Sequence, residues 1–318
     1  MLRRNPSCFD KMWIMTLKVT NFTDDKFPQL VEFYESLRRG GAGLSEREVR
    51  FLRTKFARPL YNPVKNLFFI EADQKINALL DIVAEPRIHR IIFNCLVQPG
   101  FSYVHLSRAL LEKGMARCRE LDGERIHICL RENDYTGHEF FLSEGYSRVR
   151  TYLDLEADLM SRNDPNIKSG RFQGTSFSKG EEYRLKTLQN DIFVGSWGFC
   201  PNTVDEIKYY LALTETELED VILLEEEGDV VGYCWVHESL SSSNTSKIAR
   251  IHMIGIQRKF QGRGLGRELL RLSNHILRKR GYRKVELTVD SNNKPACGLY
   301  TAFGFQLKSR SFWFEKSL

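Results

Sequence analysis

Apolar and polar positions along this chain fall into blocks whose period switches between that of a strand and that of a helix. The segment Val221 to Tyr233 (VILLEEEGDVVGY) reads as a strand, a turn at Gly228-Asp229 and a returning strand, the pattern of a β-hairpin. Asn66 to Leu80 (NLFFIEADQKINALL) reads the same way. Ile251 to Ile256 is another apolar, β-branched run, and Leu265, Leu269, Leu272 and Ile276 follow it at steps of four, three and four. Such steps line one face of a helix, and Gly281 suits its C-terminal cap. Lys284 to Val289 predicts one more strand.

The blocks repeat. An offset of 159 residues lays Tyr300 on Phe141, Gly304 on Gly145, Phe305 on Tyr146 and Asn292 on Asn133. Without a gap it also lays Leu269-Leu270 on Leu110-Leu111 and Ile256-Gln257 on Val97-Gln98. Each half therefore runs helices, hairpin, long strand, helix, strand, short helix and final strand, which predicts an α/β (α+β) layer with a mixed sheet. Met160 to Gly180 concentrates Ser, Asn, Asp, Pro and Gly, as a linker does. The expected domains are residues 1–165 and 166–318.

A length of 318 residues agrees with two domains, at about 150 residues each. With 42% apolar and 28% charged residues, the composition is that of a folded globular protein. The seven cysteines are odd in number and never form C-x-x-C pairs. They point to free thiols in a reducing, cytoplasmic compartment and give no metal site. No apolar run opens the chain as a signal peptide does, and charge cuts every hydrophobic run short of the roughly 18 residues of a membrane span. The net charge of +6 is dispersed and marks no nucleic-acid surface. In the densest basic stretch, Arg47 to Arg58, Val49, Leu52 and Phe56 recur at helical spacing, so a solvated amphipathic helix is expected there.

The most specific chemistry lies between the strand at Ile251 and the helix at Leu265. Gly262, Gly264 and Gly266 let backbone approach a ligand without an intervening Cβ, and N–H groups at a helix start make an anion site suited to a pyrophosphate. The spacing is neither G-x-x-x-x-G-K-[ST] nor G-x-G-x-x-G, which excludes a nucleotide P-loop and the dinucleotide fingerprint. Gln261, Gly264 and Gly266 resemble the [QR]-x-x-G-x-[GA] loop of the GNAT superfamily of N-acetyltransferases. Downstream, Asn293, Ala296, Leu299, Tyr300, Gly304 and Phe305 are similar to that family's N-x-x-A-x-x-L-Y-x-x-x-G-F. The likeness is strong over Val221 to Leu318 and weak over Leu67 to Leu155, and the tandem arrangement resembles mycothiol synthase-like proteins.

The resemblance implies two tandem GNAT-type domains, each a mixed, mostly antiparallel sheet flanked by helices. It implies acetyl-CoA as co-substrate and transfer of the acetyl group to a primary amine of a small molecule or peptide. Ile254, Gly255 and Ile256 are then expected to meet the pantetheine arm, and Asn293 its lower part. Gln261, Gly262, Arg263, Gly264, Leu265, Gly266 and Arg267 are expected to hold the pyrophosphate. Arg271, Arg278, Lys279 and Arg280 are expected on a solvated helix face, with contact to the CoA 3′-phosphate as the alternative.

Tyr300 takes the family's general-acid position beside the leaving sulfur. Where many relatives carry a strand Glu, this chain has Arg250. Alternation would put Arg250, His252 and Ile254 on one face, which leaves His252 as the available base, with Glu286 or a water chain as the others. Arg250 either pairs with a carboxylate or phosphate of the acceptor or is a strand-edge charge. Trp197 and Phe199, in a segment that resembles the acceptor region of tandem proteins, are candidate pocket walls. Under the offset the three glycines become Tyr103, His105 and Ser107, and Tyr300 becomes Phe141. The first half is therefore expected to be catalytically silent and the second to bind acetyl-CoA by itself. The missing strand acid keeps a second class open, a non-catalytic acyl-CoA-binding regulatory module.

Overall fold

The computed structural model of the chain describes residues 18–38, 43–160, 173–217, 220–240, 242 and 247–318. Its elements run in two matching series. The first is β1 (Val19–Asn21), α1 (Phe27–Ser36), α2 (Glu46–Lys55), α3 (Pro63–Asn66), β2 (Leu67–Ala72), β3 (Lys75–Glu85), β4 (Arg90–Val97), α4 (Tyr103–Glu120), β5 (Arg125–Arg131), α5 (Tyr135–Ser143) and β6 (Ser147–Asp158). The second is β7 (Gln173–Ser176), α6 (Glu182–Phe193), α7 (Val204–Thr214), β8 (Val221–Glu226), β9 (Asp229–Glu238), β10 (Ile248–Ile256), α8 (Leu265–Lys279), β11 (Lys284–Asp290), α9 (Lys294–Ala302) and β12 (Gln306–Ser317). The last three elements of each series start at 125, 135 and 147 and at 284, 294 and 306, which is the offset of 159 read from the sequence. Both hairpins turn on two residues of positive φ, Asp73-Gln74 (51° and 62°) and Glu227-Gly228 (54° and 86°). This is the tight turn whose twist suits the flanking strands, and the second one begins a residue earlier than expected.

Compactness divides the chain differently from the repeat. One unit holds the described residues up to Leu44, Asn62–Ile126 and Leu318; the other holds Ser45–Tyr61 and the described residues from His127 to Ser317. The expected boundary at 165/166 thus ends a sequence repeat but not a compact unit, because α2 and β6 of the first series belong with the second. In the first unit β1 to β4 form an antiparallel meander. Helices α1 and α4 pack on β3, and Phe22, Phe69, Leu79, Phe93 and Leu110 are fully buried.

In the second unit the strand order is β7-β8-β9-β10-β11-β6-β12-β5, with β10 and β11 running parallel. Helix α8 covers one face, where Leu265, Leu269 and Leu277 pack with Cys234, Ile251, Val285 and Tyr300. Helix α6, with α7, covers the other, where Leu185, Ile192 and Ile207 meet Leu223, Tyr233 and Trp235. Strand β6 lies between β11 and β12, paired from Lys284↔Asp158 to Asp290↔Tyr152 on one edge and from Gln306↔Glu156 to Glu315↔Ser147 on the other. Helix α2 starts with a capping box of Ser45 and Glu48 and packs on α7. It is the amphipathic helix expected there, with Leu52 buried and Glu46 and Arg50 exposed, but Arg47 is committed: its guanidinium donates to the carbonyls of Glu238 (2.8 Å) and Ser239 (3.2 Å) and to the Glu215 carboxylate (2.8 Å).

Candidate active site

The site begins where two strands part. β10 and β11 pair only over Ile248↔Lys284, Ala249↔Val285 and Arg250↔Glu286. Beyond that point β10 continues against β9 to Ile256↔Gly232, while β11 continues against β6 to Asp290↔Tyr152. The facing edges diverge, so peptide groups of β10 from Ile251 onward line a cleft without a strand partner on that side. A bulge adds to this, because Ile251 pairs with Val236 and Met253 with Trp235, leaving His252 over. An extra residue resets the alternation. Ile251, Ile254 and Ile256 pack on the α8 face and Met253 on the α6 face. The expectation that Arg250, His252 and Ile254 share a face is therefore corrected: His252 packs on Tyr210 and Trp235, opposite Ile254.

At the end of β10 the chain enters the glycine loop. Gln261 Nε2 donates back to the Ile256 carbonyl at 2.9 Å. Gly262 and Gly264 have φ of 78° and 79°, a region that costs any other residue strain. Gly264 is the N-cap of α8 and no side chain caps it. The first N–H groups of the helix have no partner in the helix ladder, so the loop offers donors and the positive end of the dipole together. A groove of about 720 Å³ is lined by Ile254 to Ile256, Gln261, Gly262, Gly264 to Arg267, Asn293 and Tyr300. Arg263 is the predicted loop residue that does not line it. Its guanidinium holds the buried Glu226 carboxylate at 2.8 Å, which ties the loop to the end of β8. Asn293 caps α9 by accepting from the Ala296 N–H at 3.2 Å. On α8, Arg271 pairs with Glu268 and Arg280 with Asp220, so two of the cations expected in solvent are committed.

A second cleft, of about 570 Å³, meets this groove at Tyr300. Its walls include the predicted Trp197, Phe199 and His252, and also Arg150, Tyr152 and Phe193. Trp197 stands 6.0 Å from Tyr152 and 5.8 Å from Trp313, ring centre to ring centre. Arg150 and Tyr152 lie on β6. No local motif marks them, since strand pairing alone carries them here. Arg250 does not line this cleft; it lines a neighbouring cavity of about 350 Å³ with Phe51, Tyr210 and His252. There its guanidinium donates to Glu286 at 3.2 Å and to Thr288 Oγ1 at 2.7 Å.

The electrostatics follow from burial. Tyr300 is 6% exposed, and burial, with Cys234 and Cys297 nearby, raises its phenol above the ordinary range. Burial pushes the Cys234 thiol up to about 12. Burial, with the charges of His237 and Arg250, lowers His252 to about 3, so its imidazole is neutral at pH 7. Burial acts to raise Glu286, but the Ser239 hydroxyl, Arg250 and Lys308 outweigh it and hold the carboxyl below its usual range.

A parted strand pair and an uncapped glycine-rich helix start thus meet at a tyrosine. Residues 183–305 match the Acetyltransferase (GNAT) family. Over that stretch the chain is similar to the GNAT acetyltransferases, and it resembles the mycothiol acetyltransferases. That of Acidothermus cellulolyticus is 27% identical over 237 residues, 70% of this chain and 70% of that protein. That of Corynebacterium glutamicum (strain R) is 34% identical over 97 residues. There the chain spans about a third of the relative's length, 32%. Two solved structures share the fold across the chain. A GCN5-related N-acetyltransferase from Sphaerobacter thermophilus has a TM-score of 0.70 at 20% identity, covering 95% of each chain. A tandem GNAT protein from the clavulanic acid biosynthesis pathway has 0.69 at 17%, covering 95% of this chain and 98% of that one. The fold is that of a tandem GNAT protein.

Proposed function

We propose that this protein is an acetyl-CoA-dependent N-acetyltransferase with one working site per chain, in the second repeat (166–318), while the first repeat (1–165) has lost its own. The observation that carries this is the meeting of the glycine-loop groove and the aromatic cleft at Tyr300. Proteins named mycothiol acetyltransferase and a putative ribosomal protein bS18-alanine N-acetyltransferase of Bacillus subtilis, 29% identical over 98 residues, support a primary amine as acceptor. The amine belongs to a small molecule or peptide. A cytoplasmic location belongs to the same proposal, supported by the six described cysteines, all free thiols. Among the described residues no helix is long and apolar enough to cross a membrane.

Acetyl-CoA supplies an activated acyl carbon. The backbone donors of Gly262 to Gly266 and the α8 dipole hold its pyrophosphate, and the unpaired edge of β10 at Ile254 to Ile256 takes its amides as an added strand would. The amine enters from the aromatic cleft. Its lone pair forms the C–N bond, the C–S bond breaks, and the proton the nitrogen loses replaces the acyl group on sulfur. Tyr300 stays protonated and donates a hydrogen bond to the departing sulfur, since a phenol is already a weaker acid than a thiol and burial raises it further. His252 accepts a hydrogen bond from the amine, directly or through water; at a pKa of about 3 it orients the nitrogen more than it stores the proton.

Calorimetry with acetyl-CoA and a thiol-release assay with a panel of amines test the reading. One binding site per chain and release with at least one amine are expected. No binding overturns it, and binding without release from any amine favours the non-catalytic acyl-CoA module.

A further inference from the structure

Resting on that reading, we propose that Arg150 recognises an anionic group of the acceptor, so that the preferred acceptor is an amine bearing a carboxylate or a phosphate. The sequence offered Arg250 for this task, but Glu286 and Thr288 occupy its guanidinium. Arg150 is different. It lines the aromatic cleft that also reaches Tyr300, and it makes no ion pair or side-chain hydrogen bond with any described residue. Its guanidinium carbon lies 5.5 Å from the centre of the Trp197 ring. A cation–π contact of this kind holds the guanidinium on the cleft wall and leaves its N–H donors for a ligand.

The neighbouring charge does not satisfy it. The Asp290 carboxylate, in the same cleft, accepts from the Asn292 N–H at 2.9 Å and makes no ion pair among the described residues. A half-buried cation beside aromatic walls is under-solvated, and a bidentate carboxylate or phosphate is the chemistry that repays this. Register explains how it arrives there: Arg150 lies opposite Trp313, and two residues on Tyr152 pairs with Asp290 at the far end of the parted strands. Both belong to β6, the last strand of the repeat that lacks the glycines and the phenol. That repeat then contributes acceptor specificity in place of cofactor binding.

Matched amine pairs test this: phenylalanine against phenylalaninamide, glycine against glycinamide, and phosphoethanolamine against ethanolamine. Thiol release is measured and rates are referred to the free-base fraction. The wild type is expected to favour an anionic member by about 10- to 100-fold in kcat/KM, and the carboxylate and phosphate arms tell which anion it takes. Arg150→Gln is expected to bring that ratio to within about threefold, through KM, with acetyl-CoA affinity kept as the check on folding; Arg150→Lys restores part of it. Equal or better use of the neutral members by the wild type, or a ratio that survives Arg150→Gln, overturns the proposal. So does a failure of every anionic member either to react or to bind the acetyl-CoA-saturated protein. Loss of acetyl-CoA binding itself by the wild type would instead sink the acetyltransferase reading.

Discussion

Tyr300 is a motif residue whose chemistry is set by its surroundings. A reference thiol and a reference phenol differ by about 1.5 pKa units, and burial widens the gap by raising the phenol. Hydrogen-bond donation is what remains to it. Tyr300→Phe is expected to keep acetyl-CoA affinity and lower turnover about ten- to a thousandfold, read by calorimetry and steady-state kinetics. His252 gives a pH prediction. Its folded value of about 3 lies below the ordinary 6.5, so the unfolded chain binds the proton that the folded one refuses. Its contribution is intact above pH 6.5 and is lost as pH falls towards 3. Urea titrations across that range should show a shallower acid loss for His252→Gln, and the kcat/KM profile of the wild type should carry no break near 6.5 from this group. Both the phenol and the imidazole were legible as candidates; their protonation was not, because it depends on burial by distant segments.

At the scale of the element, β10 and its loop separate two reasons for a glycine. A Cβ on Gly255 would stand 2.4 Å from Ile192 Cγ2 of α6, so that glycine is demanded by the fold. Gly255→Ala should cost about 1–3 kcal/mol of stability in urea unfolding. A Cβ on Gly266 would meet Leu299 at an ordinary 3.5 Å. Gly266→Ala should therefore leave stability within about 0.5 kcal/mol and binding nearly unchanged, as the Ala allowed at this place of the loop implies. Gly266→Glu, which brings bulk and negative charge to the groove wall, should weaken acetyl-CoA binding, which calorimetry reads directly. A stable Gly266→Glu variant with unchanged affinity would remove Gly266 from the loop's function. The helix after the loop was plain from its 3.6-residue period, whereas the bulge at His252 was invisible: nothing in I-H-M-I-G-I distinguishes an extra residue from an alternating strand.

For the whole molecule, the repeat and the compact units predict different fragments. A chain of residues 166–318 lacks β6, which fills the place between β11 and β12, and α2, which packs on α7. It should fail to unfold cooperatively and fail to bind acetyl-CoA, contrary to the independence expected from the repeat alone. A fragment starting near residue 124 restores β6 and should recover binding; equal affinity in both fragments would show β6 to be dispensable.

The sequence by itself determined the duplicated order of elements, the glycine loop and the place of the phenol, because periodicity and positive φ are short-range demands that each segment states for itself. Only the tertiary structure decided that Arg250 is spent on Glu286, that Arg47 reaches Glu215 across 168 residues of chain, and that Arg150 of the first repeat stands in the aromatic cleft. The places of Arg250 and Arg150 depend on strand register, where a slip of one residue would turn either side chain to the opposite face, and that of Arg47 depends on how α2 packs on α7.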